Sequence, residues 1–361
     1  MPERRTGLVY DERCVAHEPP GGVPPGGLPA WAAVPPFERP ERLTLTRRAL
    51  EGSGVLGTVI EVAPRFATEA ELGLAHTEAH VRRVLDAAAT GQLVEVGDDA
   101  WSGPGTHDAL LLAAGGLLAA LEAVLEGSLD NAFAVLRPPG HHAEHDAAMG
   151  FCLVNNVAVA ARWAQREGGL ARVAIVDWDV HHGNGTEEIF LDDPSVLTVS
   201  LHQDGLYPAH TGRLDARGAG GTNVNVPLPA GTGDDGYAHA FDRVVAPVVR
   251  AFRPELLLIA AGQDASATDP LGRMSITVPG FRALADRAVA LAGEVCGGRL
   301  VATLEGGYSL LHLPLANLAI LEGLAGLPPT FAHDPVGVDV PAALRDVEWA
   351  AVAAAERAHL S

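Results

Sequence analysis

The sequence predicts an α/β fold, a single domain built on one parallel β-sheet with helices on both faces. Three observations carry this expectation. From residue 131 onward, short apolar runs of strand length alternate with longer stretches of helical length, and strands separated by helices pair in parallel. The strand-like runs end in clusters rich in Gly, His, Asp or Tyr, and the C-terminal ends of strands are where open α/β sheets bind ligands. Residues 41–325 contain no internal repeat and no linker-like stretch, which favours one large core.

The elements follow in order. Residues 1–40 read as an irregular N-terminal segment, with the Pro/Gly-rich stretch Gly21 to Gly27 as a loop. Helices are expected over 41–52 and 76–90, and a strong one over 106–126, with Thr106 as N-cap and Gly127 just past the end. Its apolar centre, Ala109 to Leu121, stops at Glu122, too short for a bilayer and read as a buried helix. A strand over 131–136 runs into Gly140-His141-His142, a helix follows over 154–166, and a strand over 172–176 runs into Asp177-Trp178-Asp179-Val180-His181-His182. A strand over 196–201 leads to His202, and a helix is expected over 237–252. A strand over 256–260 leads to Asp264. A helix over 281–295, a strand over 300–304 leading to Glu305-Gly306-Gly307-Tyr308, and a helix over 313–324 complete the domain. Residues 328–361 are expected as a tail packing on its surface.

Composition narrows the function. The chain of 361 residues is 48% hydrophobic and 19% charged, a globular balance. A formal net charge of −20 disfavours nucleic-acid binding, which needs a basic footprint. The acidity suits attraction of cationic substrates, although an acidic surface also serves solubility alone. Cys14, Cys152 and Cys296 are scattered, with no CxxC, so neither a disulfide framework nor a thiolate zinc site is supported. The start, Met1 to Gly7, has no apolar leader core, so a cytoplasmic protein away from the membrane is expected. Association into a homo-oligomer is compatible with the sequence but not specified by it.

The clusters carry chemistry. Asp179 and His181 are alternate residues leaving a strand, so they can face one side. Asp264, from another strand end, can complete three ligands and leave a position open for water. Carboxylate with imidazole suits zinc, and also ferrous iron, manganese or cobalt. His141 and His142 follow a glycine that permits close approach of the backbone. One of them can act as the base for a metal-activated water, oriented by an acceptor behind it. Asp177 and Asn184 are the available partners, and the histidine paired with the neutral amide is the better neutral base. An isolated His-His in a Pro-Gly loop would read as surface; the neighbouring clusters reverse that. Tyr308, after two glycines at a strand end, can donate to an oxyanion opposite the metal. Phe151, after Gly150, and Tyr207 are aromatics at strand ends that can line a channel for an aliphatic chain.

These residues, over roughly 37–325, resemble the histone deacetylase / acetylpolyamine amidohydrolase superfamily, most closely its class II branch and bacterial relatives. The segments that carry the resemblance include Arg39 to Leu43, Pro104 to Thr106, Arg137 to His142, Gly150 to Cys152, Asp177 to Thr186, Ser200 to His202, Asp264 to Met274 and Glu305 to Tyr308. The resemblance implies the arginase/deacetylase-like fold over one catalytic domain, 1–361. It implies one zinc ion per chain on Asp179, His181 and Asp264. It implies His141 and His142 as a tandem base/acid pair backed by Asp177 and Asn184, and Tyr308 polarising the acyl carbonyl. Phe151, Tyr207 and Leu271 would wall the tunnel, and the Gly150 carbonyl would accept from the substrate amide. A structural potassium ion would lie on Asp177, Asp179, His181, Ser200 and Leu201. The implied substrate is an acetylated lysine side chain, an acetylpolyamine or a related acylated amine. Gln263 stands where the family often has an aromatic, and Pro36-Phe37-Glu38 replaces the family's His-Pro-Glu, which leaves the loop before residue 41 outside the resemblance. An arginase-like ureohydrolase would need a second carboxylate where Ser266 stands. A catalytically silent acyl-lysine-binding protein would have lost a ligand, a histidine or the tyrosine, and none is lost.

Overall fold

A computed structural model describes residues 4–20, 35–338 and 343–360. Its centre is an eight-stranded sheet in the order β2-β1-β5-β10-β9-β6-β7-β8, every neighbouring pair parallel. The strands are β1 (Thr6–Val9), β2 (Ile60–Val62), β5 (Asn131–Ala134), β6 (Val173–Asp177), β7 (Val196–Gln203), β8 (Asn223–Leu228), β9 (Leu256–Ala261) and β10 (Leu300–Leu304). Strands β3 (Val94–Gly97) and β4 (Ala100–Ser102) form a separate antiparallel hairpin. The five central strands β5, β10, β9, β6 and β7 are buried at every residue, which explains their unbroken apolar runs: both faces are covered.

Two helical layers cover the sheet. On one, α4 (Thr106–Leu125) packs on β1, β5 and β10, beside α5 (Asn156–Arg166), which lies on β6 and β9. On the other, α10 (Leu313–Ala325) packs against both α1 (Glu41–Ser53) and α9 (Val278–Val295). Helix α4 is long and apolar enough to cross a membrane, yet its residues are largely buried against the sheet and neighbouring helices.

The structure departs from the sequence reading at several places. Residues 1–40 are not all irregular: Thr6–Val9 is an inner strand between β2 and β5, and Glu12–Ala16 forms a 3-10 turn. Gly7 is closely packed there: a Cβ would stand 2.5 Å from Leu129 Cδ1 and would need that side chain to shift. The expected loop at 21–27 lies outside the described residues. Thr106 is not the cap of α4 but its first residue. Gly105 (φ 71°) holds the cap position, and Thr106 Oγ1 accepts from Gly103 N (2.8 Å) and meets His17 Nδ1 (2.8 Å). The expected helix over 237–252 starts at Asp234 and contains a π turn, Phe241–Val245, before Pro247, which has no N–H to donate. Edge strand β8 is a further strand, its pattern obscured by Asn223, Asn225 and Pro227, the last tolerated at an edge. The tail carries a helix, α11 (Asp346–Leu360), that packs on β8, with His359 Nε2 at 3.2 Å from the Asn225 carbonyl.

Candidate active site

The parallel register brings the C-terminal ends of β5, β10, β9, β6 and β7 to one edge. Asp177 closes β6, level with Ser200 on β7 and Ala260 on β9. The chain then turns, and Asp179 and His181 project to the same point as Asp264, which follows β9. Among the described residues these three form one group, all buried, with ligand atoms within 4.8 Å of one another. His181 Nδ1 lies 3.0 Å from Asp179 Oδ1 and 3.1 Å from Asp264 Oδ2. The other carboxylate oxygens are pinned by backbone: Gly306 N donates to Asp179 Oδ2 (2.7 Å) and Val180 N to Asp264 Oδ1 (2.8 Å). Glycine is obligatory at 306, because a Cβ there would stand 2.0 Å from Asp264 Oδ2 and 2.5 Å from Asp179 Oδ2.

The electrostatics fit a cation. Burial, then the Asp179 charge, pushes the Asp264 carboxyl up to about 7. Burial works against a charged His181, but its hydrogen bonds to Asp179 and Asp264 hold the imidazole up to about 10. Two carboxylates facing one imidazole in a water-poor site carry surplus negative charge, which a divalent ion would neutralise. The donor set, one nitrogen and carboxylate oxygens with their outer lone pairs fixed by N–H groups, fits zinc.

His141 and His142 lie beside this cradle on the loop after β5. Glu305, following β10, accepts from the backbone N–H groups of Gly140 (2.6 Å) and His141 (3.0 Å) and so fixes the loop. The two rings are 4.0 Å apart but differ in surroundings. His141 Nδ1 meets Asp177 Oδ2 at 2.8 Å, and despite burial Asp179 and Asp177 hold its pKa well above the ordinary value. His142 Nδ1 meets Asn184 Oδ1 at 2.8 Å, and burial with the neighbouring His141 and His181 holds its pKa well below. Asn184 Nδ2 donates to Glu144 Oε1 (2.9 Å), which orients the amide with its oxygen toward His142. His142 therefore carries its proton on Nδ1 and leaves Nε2 as an acceptor.

A cavity of about 250 Å³ leads down to this floor. His142, His181 and Tyr308 line its base, and Phe151, Tyr207, Leu206, Leu271, Gly150, Phe37 and Asp99 its walls and mouth. Gly150 and Phe151 both have positive φ (54° and 66°), and a Cβ at 150 would stand 2.5 Å from the His142 ring. Tyr308 meets Phe151 edge-on at 5.7 Å. Tyr207 donates to Asp98 Oδ2 on the β3–β4 turn (3.2 Å). Ser200 and Leu201 lie on β7 beside Asp177, with Ser200 Oγ 2.9 Å from His202 Nδ1. The expected ligands Asp179, His181 and Asp264 thus lie together, and His142, Gly150, Phe151, Tyr207, Leu271 and Tyr308 line the cavity beside them.

The sequence reading assigned no role to the support beneath. Glu38, 1% exposed, accepts from the guanidinium groups of Arg137 (Nη2, 2.6 Å) and Arg42 (Nη1, 3.0 Å), both 0% exposed. Arg42 donates onward to the carbonyls of Glu305 and Gly307 (the latter 2.7 Å) and lies 4.9 Å from the Tyr308 ring centre. A signal existed, since Arg42, Arg137 and Glu38 sit beside motif residues and charges at buried positions must pair.

Comparison with known proteins gives the same answer as the geometry. The histone deacetylase domain family matches residues 36–324. A probable deacetylase of Archaeoglobus fulgidus is 40% identical over 336 residues, covering 91% of this chain and 89% of the relative. A histone deacetylase-like amidohydrolase of Pseudomonas aeruginosa is 42% identical over 336 residues, covering 90% and 87%. The crystal structure of the HDA15 HD domain superposes with a TM-score of 0.86 at 36% identity, over 99% of this chain and 96% of that one. With the site assembled and the whole domain matched, the chain belongs to the histone deacetylase / acetylpolyamine amidohydrolase superfamily and is a hydrolase of amide bonds.

Proposed function

We propose that the protein is a zinc-dependent deacylase that removes an acetyl or similar acyl group from the terminal amide of an acylated lysine or polyamine-like amine. The observation that carries this reading is the shared floor: His142, His181 and Tyr308 meet at the base of one narrow cavity whose walls include Phe151, Tyr207 and Leu271. An aliphatic chain fits such walls and delivers its terminal amide to the floor. Ser266, not a carboxylate, stands two residues beyond Asp264, which supports one metal rather than a two-metal ureohydrolase.

Asp179, His181 and Asp264 would hold one zinc ion, which supplies Lewis acidity to the acyl oxygen and to the attacking water. His142, neutral and oriented by Asn184, takes the proton from the water at Nε2. His141, whose charged form the carboxylates of Asp179 and Asp177 favour, stabilises the negative charge that develops beside it, and the pair returns a proton to the departing amine. Tyr308 donates its hydroxyl to the oxygen on which that charge grows. The Gly150 carbonyl accepts from the substrate amide N–H. A potassium ion on the Asp177 carboxylate, the carbonyls of Asp179, His181 and Leu201, and Ser200 would offset the charge of Asp177, whose carboxyl burial raises. The three cysteines are buried and free, which supports a reducing, cytoplasmic setting.

The test is hydrolysis of a panel of acetyl-lysine peptides and acetylpolyamines by the purified zinc-loaded protein, beside Tyr308→Phe. That variant should lose roughly 100–1,000-fold in kcat, about 2.7–4 kcal/mol, with KM little changed. A near-wild-type kcat would remove Tyr308 from the mechanism.

A further inference from the structure

Asp269 is a buried carboxylate that the mechanism above does not use, 7% exposed and without an ion pair among the described residues. Its hydrogen bonds all come from backbone. Oδ2 accepts from Tyr308 N (2.6 Å) and Ser309 N (3.1 Å), and Oδ1 from Leu271 N (2.9 Å). One residue earlier, Thr268 Oγ1 meets Ser309 Oγ at 2.8 Å. Two loops that leave different strands, 268–271 after β9 and 305–309 after β10, are therefore tied together by side chains of the first. They carry Leu271 and Tyr308, which both line the tunnel. The Tyr308 loop needs such a tie: Gly307, at φ 114°, is in a conformation that other residues rarely adopt, so the tyrosine's position is not set by local backbone preference. Burying a carboxylate without a cation is costly unless N–H donors satisfy it.

We propose that Asp269 is a positioning residue for the reaction: it fixes the Tyr308 backbone, and through it the height of the phenol hydroxyl over the tunnel floor. This rests on the reading of Tyr308 as donor to the acyl oxygen. Asparagine at 269 keeps the shape but replaces one acceptor oxygen by an NH2 that faces an N–H donor. A displacement of the hydroxyl by about 1 Å is enough to cost on the order of 100-fold.

The experiment is a double-mutant cycle on the zinc-loaded protein with an acetyl-lysine peptide, reading kcat, KM and metal content for Asp269→Asn, Tyr308→Phe and the double variant. Asp269→Asn should lose roughly 10- to 100-fold in kcat, with KM within about threefold and metal content unchanged. In the Tyr308→Phe background the same change should cost less than about twofold, because the hydroxyl it positions is gone. A near-wild-type kcat for Asp269→Asn overturns the proposal, as does an undiminished loss in the Tyr308→Phe background, which would show a general structural role. Should Tyr308→Phe itself keep its kcat, the reading of Tyr308 falls and this proposal with it, an outcome distinct from failure of Asp269 alone. If Asp269→Asn does not fold, Thr268→Val loosens the same tie. It should give a kcat-only loss of about two- to fivefold that also vanishes in the Tyr308→Phe background, and wild-type kcat in it overturns the proposal.

Discussion

Replacing Glu38 by glutamine tests how the floor of the site is supported. Glu38 lies between two fully buried guanidiniums, Arg42 and Arg137, with His17 Nε2 at 3.5 Å. Burial alone would raise its pKa, but Arg137 above all, with His17 and Arg42, holds the carboxyl down to about 2, from an ordinary 4.5. That gap, at about 1.4 kcal/mol per tenfold change in proton affinity, amounts to about 3 kcal/mol of stability at neutral pH. Glutamine leaves two buried cations without their anion, for which about 3–5 kcal/mol is the usual cost. Either cost is a large part of a typical total stability of about 5–15 kcal/mol. The folded-state pKa is depressed, so this stability is present above pH 4.5 and is lost as pH falls from 4.5 toward 2. Urea unfolding of both proteins at pH 7 should show a difference of about 3 kcal/mol, and the difference should shrink as pH is lowered below 4.5. A difference under about 1 kcal/mol at pH 7, or one independent of pH, would refute the argument that the charge of Glu38 holds Arg42 and Arg137 in place.

Other expectations concern the site itself. His142→Ala should reduce kcat by about 100-fold or more and exceed the loss in His141→Ala; the reverse order in steady-state kinetics would exchange the roles of the two histidines. Asp264→Ala should abolish metal binding and activity together, read by elemental analysis, and one bound zinc in that variant would remove Asp264 from the ligand set. Gly306→Ala should do the same although every ligand residue is retained, because its methyl would stand on both carboxylates; a variant with full metal content would show that the loop yields.

Much of the site was legible in the sequence because its chemistry is concentrated in short motifs at strand ends. Asp177, Asp179 and His181 leave β6 in alternation, and a parallel sheet has one edge at which such ends converge. The central strands were equally legible, since burial on both faces writes an unbroken apolar run. The alternation of strands and helices specified the fold class for the same reason. Other features were decided only by tertiary structure. Thr6–Val9 is four residues long and becomes a strand because β2 and β5 flank it in space. Asn223 and Asn225 hide β8, yet the Nδ2 groups of both donate to Glu187 Oε2, on the segment after His182 (2.6 Å each). Glu38 has Arg42 four residues away and Asp269 has the Leu271 N–H two residues away, but their distant partners, Arg137 at 99 residues and Tyr308 at 39, show in no local window. A residue's chemical type and its strand or helix period are local properties that a sequence displays. Which charge meets which donor across a hundred residues is settled only when packing removes water from both and leaves each as the other's compensation.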